Sequence, residues 1–103
     1  MEVEIDLRGA SPRARLVDPD DFKGFKVVLI DDGTAMGDRL APVGVARVDE
    51  HAWVRIEELE RLAGPSATAE WRESLAGMLD FARSKGWVDE ELGAVRGHIE
   101  RRR

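Results

Sequence analysis

The longest uninterrupted run of aliphatic side chains lies in residues 25–32. It contains Val27, Val28, Leu29 and Ile30 in succession, between an aromatic residue and a pair of aspartates. Because no polar residue alternates with these side chains, both faces of the predicted strand need cover from other parts of the chain. We therefore expect residues 25–32 to form the central strand of a sheet.

Three other segments show strand patterns. Residues 2–8 alternate without interruption between apolar and charged side chains, which is typical of a half-buried strand. Residues 43–48 and 52–56 are rich in β-branched side chains, and the three residues between them suit a hairpin loop. The sequence thus predicts a small sheet of about four strands, antiparallel or mixed.

Residues 10–21 interrupt this pattern. They contain Pro12, Pro19 and several charged side chains, which favour irregular structure. We expect a surface loop, attached to the body of the protein by Leu16, Val17 and Phe22.

The second half of the chain changes to helical spacing. Residues 56–63 predict a short helix that Gly64 and Pro65 end. Residues 69–85 give the strongest signal, with one broad apolar stripe formed by Trp71, Leu75, Met78, Leu79 and Ala82.

A third helix is predicted to begin after Asp89 as its N-cap, with a narrower stripe of Leu92, Val95 and Ile99. The predicted fold class is therefore α+β. We expect residues 1–103 to form one domain, in which the sheet is followed by three C-terminal helices packed on one face.

Composition narrows the range of functions. Acidic residues outnumber Lys and Arg by 21 to 16, for a formal net charge of −5, which does not favour binding to nucleic-acid phosphates. The chain has no cysteine, so disulfides and thiolate metal sites are excluded. Its apolar runs fall far short of the roughly 20 residues that a membrane span needs. We expect a cytoplasmic protein that binds neither nucleic acid nor membranes and uses no cofactor.

Acidic residues at the end of the central strand are the candidates for chemistry. Residues 27–34 resemble the first motif of haloacid dehalogenase-type phosphatases, an apolar strand that ends in Asp-x-Asp-Gly-Thr. When the motifs are aligned, Ile30 occupies the position of the nucleophilic aspartate. A hydrocarbon side chain cannot attack phosphorus, so we interpret Asp32 and Gly33 as a turn.

The two histidines, His51 and His98, have no second ligand at helical spacing, so a structural role is favoured over a metal site. On the predicted hairpin, Trp53 shares a strand face with Arg55, which favours a partly wet binding surface. The candidate binding residues are therefore Trp53, Arg55, His51, Asp31 and Asp38.

No set of catalytic side chains is evident, so we predict a small binding or interaction module. The alternative is a small enzyme or small-molecule-binding protein. It would have a pocket between sheet and helices, in which Asp31, Asp32 or Asp38 acts beside a histidine or an arginine.

We also predict self-association as a homodimer. Val27 and Leu29 point to one face of the central strand and Val28 and Ile30 to the other, while consecutive helices cover one face only. Either the loop at residues 10–22 or a second copy of the chain would cover the remaining apolar stripe. The candidate interface residues are Val28, Ile30, Val27 and Leu29.

Overall fold

A computed structural model describes residues 1–31 and 37–102, and at positions 37 and 38 it describes the backbone alone. The elements in chain order are strands β1 (Glu2–Asp6), β2 (Arg13–Val17) and β3 (Lys26–Ile30), a 3-10 helix (Gly37–Val43), strands β4 (Val45–Val48) and β5 (Ala52–Arg55), helix α1 (Ile56–Ala63), a 3-10 turn (Gly64–Ser66), helix α2 (Ala69–Ser84), and strands β6 (Val88–Asp89) and β7 (Ala94–Arg102).

The strands form one mixed sheet in the order β2-β1-β3-β7-β5-β4, and β6 pairs with β7 beside this path. The pairs β1–β3 and β3–β7 are parallel, and the other pairs are antiparallel. The strand predicted to be central thus lies in the interior of the sheet.

The long strand β7 joins the two halves of the sheet. The N–H of Arg96 donates to the carbonyl of Trp87 at 2.9 Å, and the carbonyl of Arg102 accepts from the N–H of Asp31 at 3.2 Å. The backbone N–H and C=O groups of successive residues point to alternate edges of a strand. Positions 96 and 102 are an even number of residues apart, so their groups point to the same edge of β7. Strands β6 and β3 therefore lie end to end along one edge of β7, and they meet at Gly97.

Both α-helices pack on the same face of the sheet. Their buried residues form one cluster with the inward-facing residues of the strands and of the 3-10 helix. Val3, Ile5, Leu29 and Leu59 are among the members with no exposed surface. One face of the sheet therefore carries the core.

The other face is covered by charged side chains. Val28 is fully buried there, and its register neighbours are Glu4 and Glu100. Lys26 Nζ lies 3.3 Å from a carboxylate oxygen of Glu2 and 3.3 Å from one of Glu100. These ion pairs raise the pKa of Lys26, and Lys26, followed by Arg102, lowers the pKa of Glu100. The face that we expected to present an apolar stripe thus carries an ion-pair network.

The residues of the predicted dimer interface lie mostly inside one chain. Val27 and Leu29 belong to the core, Val28 is fully buried on the charged face, and Ile30 is half-buried. The homodimer itself stays a prediction.

The fold-class prediction is wrong in its numbers of strands and helices. The sheet has seven strands, and residues 1–31 and 37–102 form two α-helices. One error is the predicted loop at residues 10–21, which contains β2. In that strand Ala14 and Leu16 turn toward the core while Arg13 and Arg15 are exposed, so a two-residue period is present between the two prolines.

The second error is the last helix, which is strand β7. Val95 and Ile99 are four residues apart, a spacing that fits one face of a helix and equally one face of a strand. Gly93 has a φ of 61°, which a helix does not allow. Asp89 does accept the N–H of Leu92 at 3.0 Å, but this bond closes a turn before β7 rather than beginning a helix.

Strands β1 and β3, the β4–β5 hairpin and helices α1 and α2 confirm the predictions for their segments. No helix in residues 1–31 or 37–102 is long and apolar enough to cross a membrane.

Candidate functional site

A cleft of about 260 Å³ opens between α2 and the sheet, at the junction of β6 and β3. Its walls are mainly apolar and aromatic, with basic side chains interspersed. The lining residues are Phe22, Lys23, Gly24, Phe25, His51, Met78, Phe81, Ala82, Trp87, Val95, Arg96 and His98.

The end of α2 positions the wall formed by Trp87. Gly86 adopts a φ of 77°, its N–H donates to the carbonyl of Arg83 at 3.0 Å, and the N–H of Trp87 donates to the carbonyl of Ala82 at 2.9 Å. This pair of bonds is the Schellman motif, which reverses the chain at a helix end. Trp87 is thereby brought to Phe81, with ring centroids 6.0 Å apart and ring planes at 72°.

The opposite wall comes from the segment before β3. The amino group of Met1 donates to the carbonyls of Asp21 at 2.9 Å and Gly24 at 3.0 Å, which fixes the turn that carries Lys23. Phe22 packs against Trp71 of α2, with ring centroids 6.0 Å apart. These contacts hold the aromatic rings of this segment beside the cleft.

Arg96 lies on β7 at the boundary between the two walls. Its guanidinium carbon is 5.4 Å from the ring centroid of Trp87, within the range of a cation–π contact. The side chain is half-buried, and no ion pair or side-chain hydrogen bond to it occurs within residues 1–31 and 37–102. Its donors are therefore available to a ligand.

His51 is held at the cleft by Asp49. The N–H of His51 donates to Asp49 Oδ1 at 2.8 Å, and Trp53 Nε1 donates to Oδ2 at 3.0 Å. These two donors, the His51 amide first, lower the pKa of Asp49. The imidazoles of His51 and His98 form no hydrogen bond to the described part of the chain.

Of the candidate binding residues, His51 lines the cleft and Trp53, Arg55 and Asp31 do not. Trp53 is only 8% exposed, because the Arg47 guanidinium covers its ring at 4.4 Å from the centroid. Arg55 Nη1 donates to the carbonyl of Leu92 at 3.2 Å. The partly wet surface expected around Trp53 is therefore closed by the chain itself.

The acidic candidates lie elsewhere. Asp31 is buried and accepts from Arg101 Nη1 at 2.7 Å, at the end of β3 remote from Phe25. At about 3.3 Å per strand residue, this places Asp31 about 20 Å along the strand from the cleft. Asp32 and the side chain of Asp38 lie outside the described residues. Among residues 1–31 and 37–102, no three His, Asp or Glu side chains form a group that could hold a metal ion.

Sequence reasoning missed most of the cleft. Phe81 carried a usable signal, because it is an aromatic residue outside the apolar stripe predicted for α2; in the structure it is 58% exposed. Arg96 was assigned to a helix that does not form. Lys23 reaches the cleft through a chain reversal that the sequence does not orient.

A second cavity, of about 390 Å³, lies beside the first and shares Gly24, Phe25 and His98 with it. Its other lining residues include Met1 and the carboxylates of Glu2, Asp18 and Asp21. The two cavities therefore differ in charge, since no acidic residue lines the first.

No protein-family model, no curated protein and no solved structure matches this chain.

Proposed function

We propose that the protein is a small binding module whose ligand, a small and largely apolar molecule, occupies the cleft between α2 and β7. The observation that supports this most is the convergence of four aromatic rings on one concave site, with Phe81 left 58% exposed at its edge. Apolar walls with a few polar groups are the usual composition of ligand sites.

Phe81 contacts Trp87 at the end of α2, yet 58% of its surface stays exposed. The stripe that packs α2 on the sheet consists of Trp71, Leu75, Leu79 and Ala82, which are all buried. Position 81 lies outside that stripe, where a polar side chain would leave the core unchanged. A ligand in the cleft would remove the exposed part of the Phe81 ring from water, and this removal would favour binding.

The three tryptophan indoles allow a direct test by NMR. The indole N–H groups of Trp53 and Trp71 are engaged, the first with Asp49 and the second with the carbonyl of Pro19. Benzyl alcohol, phenylacetate and phenethylamine are titrated separately while the three indole signals are followed. Binding in the cleft predicts a saturable shift of Trp87 that exceeds the shift of Trp53 for at least one compound.

A matched pair of variants controls this titration. Phe81→Ala removes an exposed ring from the cleft, and Val48→Ala trims a 41% exposed apolar side chain that does not line it. We expect weaker binding in Phe81→Ala and unchanged binding in Val48→Ala. A Trp87 signal that responds to none of the compounds would contradict the proposal.

Self-association and a cytoplasmic location stay predictions from the sequence. Burial of Val28 within one chain removes the apolar stripe that motivated the dimer. Light scattering across the micromolar range tests the dimer, and a uniform species at the chain mass of 11.5 kDa would contradict it.

A further inference from the structure

The cleft has a charge opposite to that of the protein. Acidic residues exceed basic ones in the whole chain, yet the titratable residues that line the cleft are Lys23, His51, Arg96 and His98. A lining with cationic groups and no carboxylate is complementary to an anion.

Arg96 is the side chain best placed to receive that anion. Within residues 1–31 and 37–102, Arg13 and Arg96 are the arginines that form neither an ion pair nor a side-chain hydrogen bond. Arg13 is exposed, whereas Arg96 is half-buried against Trp87. Partial removal of a guanidinium from water is unfavourable until an acceptor pairs with it.

The volume of the cleft gives the size of the ligand that it can enclose. Benzene fills a protein cavity of about 150 Å³, which corresponds to about 25 Å³ for each heavy atom. A cleft of about 260 Å³ then holds a ligand of about ten heavy atoms. This is one aromatic ring with a short acidic side chain.

We infer that the ligand is a small aryl carboxylate, with its ring among Phe25, Phe81 and Trp87 and its carboxylate paired with Arg96. The planar fork of a guanidinium matches a carboxylate with two parallel hydrogen bonds. Aromatic walls favour a ring over an alkyl chain through edge-to-face contacts like that between Phe81 and Trp87. This inference rests on the proposed function, because it assigns a chemical class to the ligand of the same cleft.

The test compares four compounds that share one ring and differ in the attached group: phenylacetate, 2-phenylacetamide, phenethylamine and benzylphosphonate. Dissociation constants are measured from the Trp87 indole shift. We expect phenylacetate to bind about tenfold or more tightly than the amide, since hydrogen bonds between charged groups exceed neutral ones by about that factor. The amine should bind most weakly.

Each outcome separates the two claims. If the amide or amine binds as tightly as phenylacetate, the assignment to carboxylates fails and the binding module stands. If benzylphosphonate binds more tightly than phenylacetate, the assignment to carboxylates also fails, and the ligand is assigned to compounds with a phosphoryl group. If no compound shifts Trp87, the proposed function fails and the inference fails with it.

Two variants with the same loss of charge locate the anion. Arg96→Gln should weaken phenylacetate about tenfold or more and leave the amide unchanged, whereas Arg13→Gln should affect neither. Equal effects of the two variants would overturn the role of Arg96. If Arg96→Gln does not fold, the ratio of the acid and amide affinities in the unmodified protein decides the inference.

Discussion

Gly97 lies directly against the ring of Phe25. A Cβ atom at position 97 would come within 2.9 Å of Phe25 Cε2 and 3.1 Å of Val27 Cγ2. Strands β6 and β3 meet at Gly97 along β7, and Phe25 lines the cleft that opens there. The missing side chain at position 97 therefore determines where one wall of the cleft lies.

Gly97→Ala should displace the Phe25 ring and reduce ligand binding. We expect a loss of about 1–3 kcal/mol in the free energy of unfolding, as for other overpacked positions, together with a weaker Trp87 shift on titration. Gly77→Ala is the matched control, because a Cβ there meets nothing within 4 Å on α2. That variant should gain roughly 0.5–1 kcal/mol and bind normally. Unchanged stability and binding in Gly97→Ala would contradict this account of the wall.

Leu75 and Phe81 belong to the same helix but serve different surfaces. Leu75 is 2% exposed and Phe81 is 58% exposed. Leu75→Ala should cost about 2–5 kcal/mol in denaturant unfolding, while Phe81→Ala should cost less than about 1.5 kcal/mol, mostly its contact with Trp87. Equal costs for the two variants would show that Phe81 belongs to the core and not to a binding surface.

Gly44 combines a positive φ with a close neighbour. Its φ is 89°, and a Cβ there would clash with Glu58 Cγ and lie 2.7 Å from Glu58 Cβ. Gly64 also has a positive φ, 52°, but open space around it. Gly64→Ala should cost about 1–2 kcal/mol through backbone strain, and Gly44→Ala about 1–3 kcal/mol more through the clash. Thermal unfolding of both variants measures the difference, and equal melting temperatures would rule out the contact with Glu58.

Asp6 provides a prediction for acidic pH. The Arg8 side chain, followed by the Arg8 backbone N–H, lowers the pKa of Asp6 from 3.8 to about 2. The folded state favours the ionised carboxylate, so this contribution is complete above the unfolded pKa and is lost as the pH falls through the folded pKa. In Arg8→Ala the Asp6 pKa, followed by ¹³C NMR between pH 5 and pH 1.5, should return toward 3.8. An Asp6 pKa near 3.8 in the unmodified protein would contradict the ion pair.

Two of the segments that the sequence predicted correctly have a single plausible period. Residues 2–8 alternate strictly, and residues 69–85 repeat an apolar stripe over many turns, so each pattern fits one element. Residues 94–102 are ambiguous, because Val95 and Ile99 share a face in either a helix or a strand. Pairing with β3 and β5 on both sides then favours the strand, and this long-range interaction has no local signature.

The cleft was unpredictable for a related reason. Its residues come from the turn before β3, the loop before β5, helix α2 and strand β7, which are distant in sequence. These segments converge because β6 and β3 share one edge of β7. Because β7 was predicted to be a helix, this arrangement could not be predicted from the sequence. Of the predicted binding residues whose side chains the structure describes, only His51 lines the cleft.

Ligand binding in the cleft is measured most directly by an isotope-filtered NOE experiment with phenylacetate and protein labelled at its methionine methyl groups. Met78 lines the cleft, whereas Met1 lines the neighbouring cavity with its acidic residues. If the ligand occupies the cleft, we expect NOEs from its aromatic protons to the Met78 methyl and none to the Met1 methyl. Contacts to Met1 without Met78, or no contacts at saturating ligand, would contradict binding in the cleft.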